Sequence, residues 1–330
     1  MAMFNTIISK TLAYTNGENV CINNDDIFGQ IDIVEKFGTP SAYGEAWIGK
    51  LRNKEKTVVA IKKVVLEKLD KSGEIYSKTQ FMSGDSAWTE MVIYKLCTLL
   101  VFVKVAPNLP ITFRYYNCPN CRLTINPQKN QQCVISINEM GEGDLKMFIE
   151  KKSNIWTYDL VENCIFQIIA GLYALKKFFN LEHNDLHWGN VLVHVVKPGG
   201  YWEYTIDGNV YNVPNLGYIF VLWDFGMSNI PGKIKGKINP SHDISVIATI
   251  MYETIYLEKG KKERKGGIMD HILSRTDFRL TSMITSMFGA SAPFSKSAVP
   301  SGDLLDSFSF DISANTIRYL LPTDLAYLVN

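Results

Sequence analysis

The sequence predicts an α+β protein in which a strand-rich first part gives way to a mainly helical second part. Three stretches lead there. Residues 57–66, TVVAIKKVVL, form a dense β-branched run that fits a strand. Residues 133–140 read as a further strand, after which the sheet part is expected to end. Residues 159–179 then place apolar side chains at 161, 164, 165, 168, 169, 172, 175 and 179, one continuous stripe along a helix.

Taken in chain order, residues 35–51 read as two strands around a glycine-containing turn, and 57–66 as the next strand. Residues 87–100 carry apolar side chains at 88, 92, 93, 96, 99 and 100, which is helical spacing. A short helix is expected over 143–150, before the long one at 159–179. Two apolar strands, 191–196 and 218–223, flank the stretch YWEYTIDGNVYNV. There Asp207-Gly208 separates two runs rich in aromatic and β-branched residues, a strong hairpin signal. A second apolar helix is expected at 244–255, then a charged loop, KGKKERKGG, at 259–267. Short helical patterns broken by Pro293, Pro300 and Pro322 fill the remainder.

A chain of 330 residues that is 46% hydrophobic can build one large domain or two lobes sharing a cleft. Its 34 basic and 33 acidic residues leave a net charge of +1, which gives no long-range pull toward nucleic acid or an anionic membrane. Neither is expected as a partner. No run reaches the roughly 18 apolar residues that span a bilayer. Residues 1–16 hold no apolar signal core, so a soluble, intracellular protein is expected. Of the cysteines, Cys97 and Cys164 fall in apolar patterns and read as small buried hydrophobes. Cys118 and Cys121 form CPNC, with Cys133 twelve residues on, an incomplete zinc set. Reduced thiols in a local loop are expected there, and a zinc site completed from elsewhere stays open.

The chemistry concentrates in HNDLHWGNVLV, residues 183–193, between the long helix and an apolar strand. Asp185 followed five residues later by Asn190 sets a carboxylate and an amide oxygen on one loop. Phosphoryl transfer needs that pairing: the carboxylate orients a hydroxyl and accepts its proton, and the amide oxygen helps hold a magnesium ion. Asp224, in WDFG, follows 34 residues after Asn190 and offers a second hard oxygen for magnesium. Taken singly, each residue has a plainer reading: Asp185 and Asn190 as turn formers, Lys62 as a solvated strand residue, Glu90 as an exposed helix residue and Asp243 as a helix cap.

HNDLHWGN and DFG together resemble the catalytic loop and metal-binding turn of the protein-kinase superfamily. The resemblance implies a bilobal protein-kinase-like fold: an N-terminal extension at 1–34, an antiparallel-sheet N-lobe at 35–140, and a mainly helical C-lobe at 141–330 with a hairpin insertion near 197–217. It implies ATP and Mg2+ as cofactors. It assigns Asp185 as the catalytic base, Lys62 of VAIK to the nucleotide phosphates, and Glu90 as the partner of Lys62, with Glu67 and Glu74 as weaker alternatives. Asn190 and Asp224 become metal ligands. Gly38, Ser41, Tyr43 and Gly44 of GTPSAYGEA, Ala60, and the hinge residues Asn138, Glu139, Met140 and Asp144 become ATP-binding. His183 is expected to pack beneath the catalytic loop, and Asp243 to brace that loop from below.

The pattern also departs from the family. Pro40 stands where a middle glycine is usual, which loosens the phosphate-binding turn. Asn184 replaces the arginine of regulated kinases, and the segment from Asp224 to Asp243 is short and lacks A-P-E, so activation by phosphorylation of that segment is not expected. His187 replaces a lysine that would help neutralise the transferring phosphoryl group, and imidazole does so only when protonated. HxDLHxGN is shared with kinases of small molecules, which keeps that substrate class open beside a protein hydroxyl, with a pseudokinase scaffold as the third reading. The loop and the insertion after it together resemble divergent serine/threonine kinases of large DNA viruses. That resemblance covers about residues 130–255 and implies a place in host cytoplasm or the virion.

Overall fold

The structure is a computed structural model that describes residues 31–37, 44–52, 57–66, 86–121, 131–151, 155–229, 243 and 308–312. The first part is a five-stranded antiparallel sheet. Its strands are β1 (Ile31–Phe37), β2 (Gly44–Leu51), β3 (Val58–Val65), β4 (Thr112–Cys121) and β5 (Gln131–Glu139), in the spatial order β1-β2-β3-β5-β4. Side chains alternate across the two faces of a strand. Val59 and Ile61 of β3 and Ile135 and Ile137 of β5 thus share one face, where they form a small core with Ile31 and Leu51. Lys62 is left on the opposite face, toward α1 (Ser86–Phe102). The helix α1 is apolar nearly all round, as a buried helix must be. Met91, Val92, Ile93, Tyr94, Leu96 and Cys97 are all enclosed in the main core.

Past the sheet come a short strand β6 (Gly143–Asp144), α2 (Leu145–Lys151) and the long helix α3 (Tyr158–Phe179). Thr157 caps α3 by accepting from the Leu160 N–H, and Asn180 ends it in the left-handed conformation at φ 51°. Asp159 in the first turn and Lys176 and Lys177 in the last suit the helix dipole. A second sheet, β10-β7-β6, joins β7 (Val191–Val195) to β10 (Tyr218–Leu222) in antiparallel register.

The hairpin between them is β8 (Tyr201–Ile206) and β9 (Asn209–Pro214). Asp207 and Gly208 both take positive φ, 51° and 76°, as a two-residue turn that follows strand twist requires. The sequence marked this hairpin as an insertion, and the structure builds it into the core. Trp202, Tyr204, Ile206 and Val213 are buried there, and Phe166 of α3 meets the Tyr204 ring edge-on at 5.0 Å. A further strand, β11 (Phe308–Ile312), pairs antiparallel with β8 along its other edge.

Several expectations change. β1 begins at Ile31, inside the stretch assigned to the N-terminal extension. Cys118 and Cys121 lie on β4, not in a loop, because the run from Thr112 pairs with β5. Cys133 is disulfide-bonded, so the thiols are not all reduced; Cys97 and Cys164 are free and buried. Among the described residues no group of three metal-ligating side chains could hold an ion. Residues 308–312 are a strand where short helices were expected, since β8 offers them a sheet edge. After residue 141 the described elements are the helices α2 and α3, a 3-10 turn at Trp188–Asn190 and the strands β6 to β11, with Asp243 helical; much of the stretch expected to be mainly helical lies outside the described residues. The expected helix at 244–255 and the charged loop at 259–267 lie outside the described residues. No described helix is long and apolar enough to cross a membrane.

Gly49 shows how tightly the first sheet is packed. A Cβ added there would stand 2.7 Å from Ile31 Cγ2 and 2.8 Å from Ile61 Cδ1, both on buried β-branched side chains. Gly49→Ala is therefore expected to destabilise the protein by about 1–3 kcal/mol, the usual cost of overpacking. Urea midpoints of the two proteins check this.

Candidate active site

The site begins at β3. The Lys62 ammonium lies 2.6 Å from Glu90 Oε1 and 3.2 Å from Asp224 Oδ1. Glu90 comes from α1 and Asp224 from the turn after β10, so one cation joins three elements. Tyr94 stands one helical turn after Glu90, and its hydroxyl donates to the same Oε1 at 2.7 Å. The Tyr94 ring packs against Trp223 at 4.9 Å and edge-on to Phe225 at 5.8 Å. Tyr94 thus ties the helix to the WDFG turn on both sides of Asp224. Sequence reading passed over it, although its spacing from Glu90 was a usable signal. Glu67 and Glu74 lie outside the described residues.

Burial alone would pull the Lys62 pKa down, but Glu90 and Asp224 outweigh it and hold the ammonium above the ordinary lysine value. Burial alone would raise Asp224, yet Lys62 outweighs it and holds that carboxyl below the ordinary aspartate range. At Glu90 burial prevails and pushes the carboxyl up, against the pull of Lys62. The short Lys62–Glu90 contact is that of a charge-assisted hydrogen bond, which keeps Lys62 cationic.

The loop at 183–190 is fixed from below. The Asp243 carboxylate accepts the His183 N–H at 2.9 Å on one oxygen and the Asn184 N–H at 3.0 Å on the other. The fully buried His183 ring donates from Nε2 to the Trp223 carbonyl at 2.8 Å and lies 4.8 Å from the Phe225 ring. Glu182 and Asn229 form an antiparallel bridge that seals the entry to the loop against the exit from the WDFG turn. Asn190 turns its amide nitrogen toward Asp185, donating to that residue's carbonyl at 2.8 Å and facing its Oδ2 at 3.4 Å. Its own carbonyl accepts from Trp223 N at 2.8 Å, which sets the two motifs side by side. Oxygens of Asp224 and Asn190, neutral or anionic and hard, suit magnesium.

His187 caps the 3-10 turn Trp188–Asn190: its Nδ1 accepts the Gly189 N–H at 3.0 Å. A Cβ on Gly189 would stand 2.9 Å from the imidazole Cε1, so glycine permits this close fold-back.

At the expected hinge, Ala60 and Asn138 are register partners. The Asn138 side chain is fully buried; its Oδ1 accepts from the Thr112 hydroxyl at 2.7 Å and its amide donates to Ser136 Oγ at 2.9 Å. Glu139 Oε1 accepts from Ile111 N at 2.9 Å, and Oε2 lies 3.6 Å from His194 Nε2. These two side chains are spent on the fold, as is the Glu139 N–H, which donates to the Ile111 carbonyl at 2.9 Å. Met140 is half-buried. Asp144 Oδ1 accepts from Met147 N at 2.7 Å and caps α2. Gly44 opens β2, where a Cβ would press within 2.9 Å of the Lys63 carbonyl. Gly38, Ser41 and Tyr43 lie outside the described residues, as does most of the segment between the WDFG turn and Asp243.

A strand lysine held between a helical glutamate and the aspartate of a DFG turn, beside an Asp–Asn loop, belongs to the protein-kinase-like class. A family model described as "Haspin like kinase domain" matches residues 2–252, most of the chain. The chain belongs to this family of haspin-like kinase domains. The match reaches well upstream of the 130–255 stretch in which the sequence alone showed its viral resemblance. "Probable serine/threonine-protein kinase 380R" of Invertebrate iridescent virus 6 is 25% identical over 233 residues, covering 68% of this chain and 41% of that protein. A serine/threonine-kinase-named relative from Frog virus 3 (isolate Goorha) is 30% identical over 146 residues, 42% of this chain and 16% of the relative. "Serine/threonine-protein kinase haspin" of Mus musculus is 30% identical over 103 residues, 31% of this chain and 13% of that protein. The chain therefore spans less than half the length of each of these three relatives.

The three coupled charges carry a pH signature. A lowered Asp224 contributes stability above its unfolded value and loses it as pH falls through the folded one. A raised Lys62 contributes below its unfolded value and loses it as pH rises through the folded one. Between the carboxylate and lysine ranges both contributions are present, while the raised Glu90 costs stability once pH exceeds the carboxylate range. Lys62→Met is expected to destabilise by about 3 kcal/mol near neutral pH, the low end for breaking a buried pair. The low end applies because the Asp224 side chain is 41% exposed and screened by solvent. The loss should be smaller at about pH 5, where Glu90 without its cation takes up a proton. Urea midpoints at the two pH values decide it, and equal losses would mean that Glu90 stays ionised without Lys62.

Proposed function

We propose that this chain is an ATP- and Mg2+-dependent serine/threonine protein kinase that transfers the ATP γ-phosphate to a protein hydroxyl. The single observation that carries the reading is the Lys62 ammonium held between Glu90 and Asp224, since that arrangement presents a fixed cation where phosphates would lie. Family membership and the names of the relatives support it. The reading includes two lobes, 35–140 and 141–330, meeting at a hinge near Met140, with ATP between them. Viral relatives support action in infected-cell cytoplasm or in the virion.

In this reading Lys62 grips the nucleotide phosphates, and Glu90 and Tyr94 keep it in place. Backbone groups at 138–140 meet the base. Asn190 and Asp224 would hold Mg2+, which supplies neutralisation of phosphate charge. The Asp185 carboxylate orients the substrate hydroxyl. As that oxygen bonds to the γ-phosphorus and the bond to the ADP oxygen breaks, Asp185 accepts the hydroxyl proton. Such a site works chiefly by positioning and electrostatics.

Asp185→Asn is expected to lower turnover by about 10²–10⁴-fold while leaving ATP binding nearly intact. The assay is transfer from labelled ATP to serine- and threonine-bearing proteins, run beside small amines and alcohols as acceptors. Transfer to small acceptors alone would replace the protein-kinase reading with a small-molecule kinase. Magnesium-dependent nucleotide binding without transfer to any acceptor would make the chain a pseudokinase.

A further inference from the structure

Strand β10 delivers Asp224, yet it is an edge strand. Among the described residues only β7 pairs with it in the β10-β7-β6 sheet. Ile219, Phe220, Val221 and Leu222 are all buried, so the polar groups of the free edge cannot turn to water. Unpaired buried backbone groups are costly, and natural edges are covered. Here two amide side chains cover it. Gln167 of α3 accepts the Phe220 N–H at 3.0 Å through Oε1 and donates to the Tyr218 carbonyl at 3.2 Å through Nε2. Asn108 donates to the Phe220 carbonyl at 3.0 Å, and its own backbone carbonyl accepts the Leu222 N–H at 3.0 Å. Positions 218, 220 and 222 alternate along the strand as one edge requires. Asn108 and Gln167, joined by an Asn108 Nδ2 to Gln167 Oε1 bond of 2.9 Å, take the place of a missing neighbour strand.

Asn108 lies between α1, which carries Glu90, and β4. Both carboxylates that hold Lys62 are therefore referred to this one residue: Glu90 through the chain leading from α1, Asp224 through β10. The inserted hairpin fixes the Asn108 amide. The Tyr204 hydroxyl of β8 donates to Asn108 Oδ1 at 2.9 Å, so the carbonyl end is occupied and both donors of Nδ2 point at Gln167 and Phe220. Gly171 lets α3 approach this point: a Cβ there would stand 3.2 Å from the Asn108 carbonyl and 3.1 Å from Leu222 Cδ1.

We propose that Tyr204, through Asn108 and Gln167, is a positioning residue for Asp224, so that the inserted hairpin sets the spacing of the Lys62–Glu90–Asp224 group. The proposal deepens the kinase reading and rests on it for its catalytic consequence. Tyr204→Phe removes one hydroxyl and keeps the ring that packs on Phe166. By hydrogen–deuterium exchange on the full chain, residues 218–226 are expected to exchange about tenfold faster in the variant, with 191–195 unchanged. In the transfer assay, half-saturating Mg2+ is expected to rise about tenfold, the low end for loss of a partner behind a metal ligand, with the KM for the protein substrate unchanged. Asn108→Ala should produce the same pattern more strongly, and adding Tyr204→Phe to it should change little further. Exchange at 218–226 equal to wild type, or a uniform rise across β7 and α3, overturns the proposal and leaves Tyr204 as core packing. A wild-type chain without transferase activity would defeat the kinase reading, while the exchange comparison would still decide whether the hairpin positions the turn.

Discussion

The placement of one buried ammonium between two carboxylates governs this molecule. Lys62, Glu90 and Asp224 come from a strand, a helix and a turn that are far apart in sequence, and their oxygens and nitrogen meet within 3.2 Å. Isolated, such burial would be unfavourable: charges lose their hydration, and an unpaired one in the interior costs several kcal/mol. The group is tolerable only with all three members present. It therefore couples the formation of the sheet, the docking of α1 and the closure of the WDFG turn. Tyr94 strengthens the coupling, since its hydroxyl serves Glu90 while its ring is held by Trp223 and Phe225.

The second sheet solves a different problem. A strand that ends at the turn carrying Asp224 must be rigid, and among the described residues β10 has a partner strand on one side only. Side-chain amides on the other side supply donors and acceptors in fixed positions without adding a strand. A buried polar network of this sort is valuable only when every member is satisfied. Asn163 shows how far that is carried: its Oδ1 accepts from Gln167 Nε2 at 2.7 Å, and its amide donates to the Pro214 carbonyl at the end of β9 at 2.7 Å. The hairpin is thereby fastened to α3 at both ends, by Asn163 near Pro214 and by Tyr173, whose hydroxyl donates to Asp207 at 2.6 Å.

Motif residues were legible in sequence because their chemistry limits the choice of side chain. Lys62 meets Glu90 and Asp224, and Asp243 meets the backbone at His183 and Asn184, in an order that the motifs suggested despite an unusually long stretch after Lys62. Regular elements with strong periodicity, such as α3, were legible to within a residue. What could not be read was whatever depends on a distant partner. Thr112–Cys121 pairs with β5 across a connection and shows no clean alternation of its own. Asn108, Gln167 and Asn163 look like ordinary polar residues until a strand edge is placed beside them. β11 is a strand only because β8 has an edge to receive it. The hairpin itself was read correctly from Asp207-Gly208, but its burial was not, since aromatic residues alternating on a hairpin fit a surface flap as well as a core.

Part of the backbone strain lies where this view places the function. Lys104, Asn180 and Asp207 take positive φ in turns and at a helix end, while Asn184 and Asp224 adopt φ 61° immediately before Asp185 and at the WDFG aspartate. The left-handed region costs an L-residue roughly 1–2 kcal/mol. Asparagine and aspartate tolerate it best, which accounts for the residue type at each position. Each is held there by bonds on both sides: Asp243 grips the Asn184 N–H, while the Trp223 N–H is bonded to Asn190 and the turn after Asp224 closes with Ser228 N to the Phe225 carbonyl at 3.0 Å. Strain persists when the surroundings over-determine it. Asp243 and the cover on β10 are thus counterparts, one holding the loop that presents Asp185 and the other holding the strand that presents Asp224. Asn190 joins the two halves through its carbonyl bond to Trp223 N. A substitution that loosens either hold should let Asn184 or Asp224 relax toward ordinary φ, moving the carboxylate of Asp185 or of Asp224 without removing it from the chain.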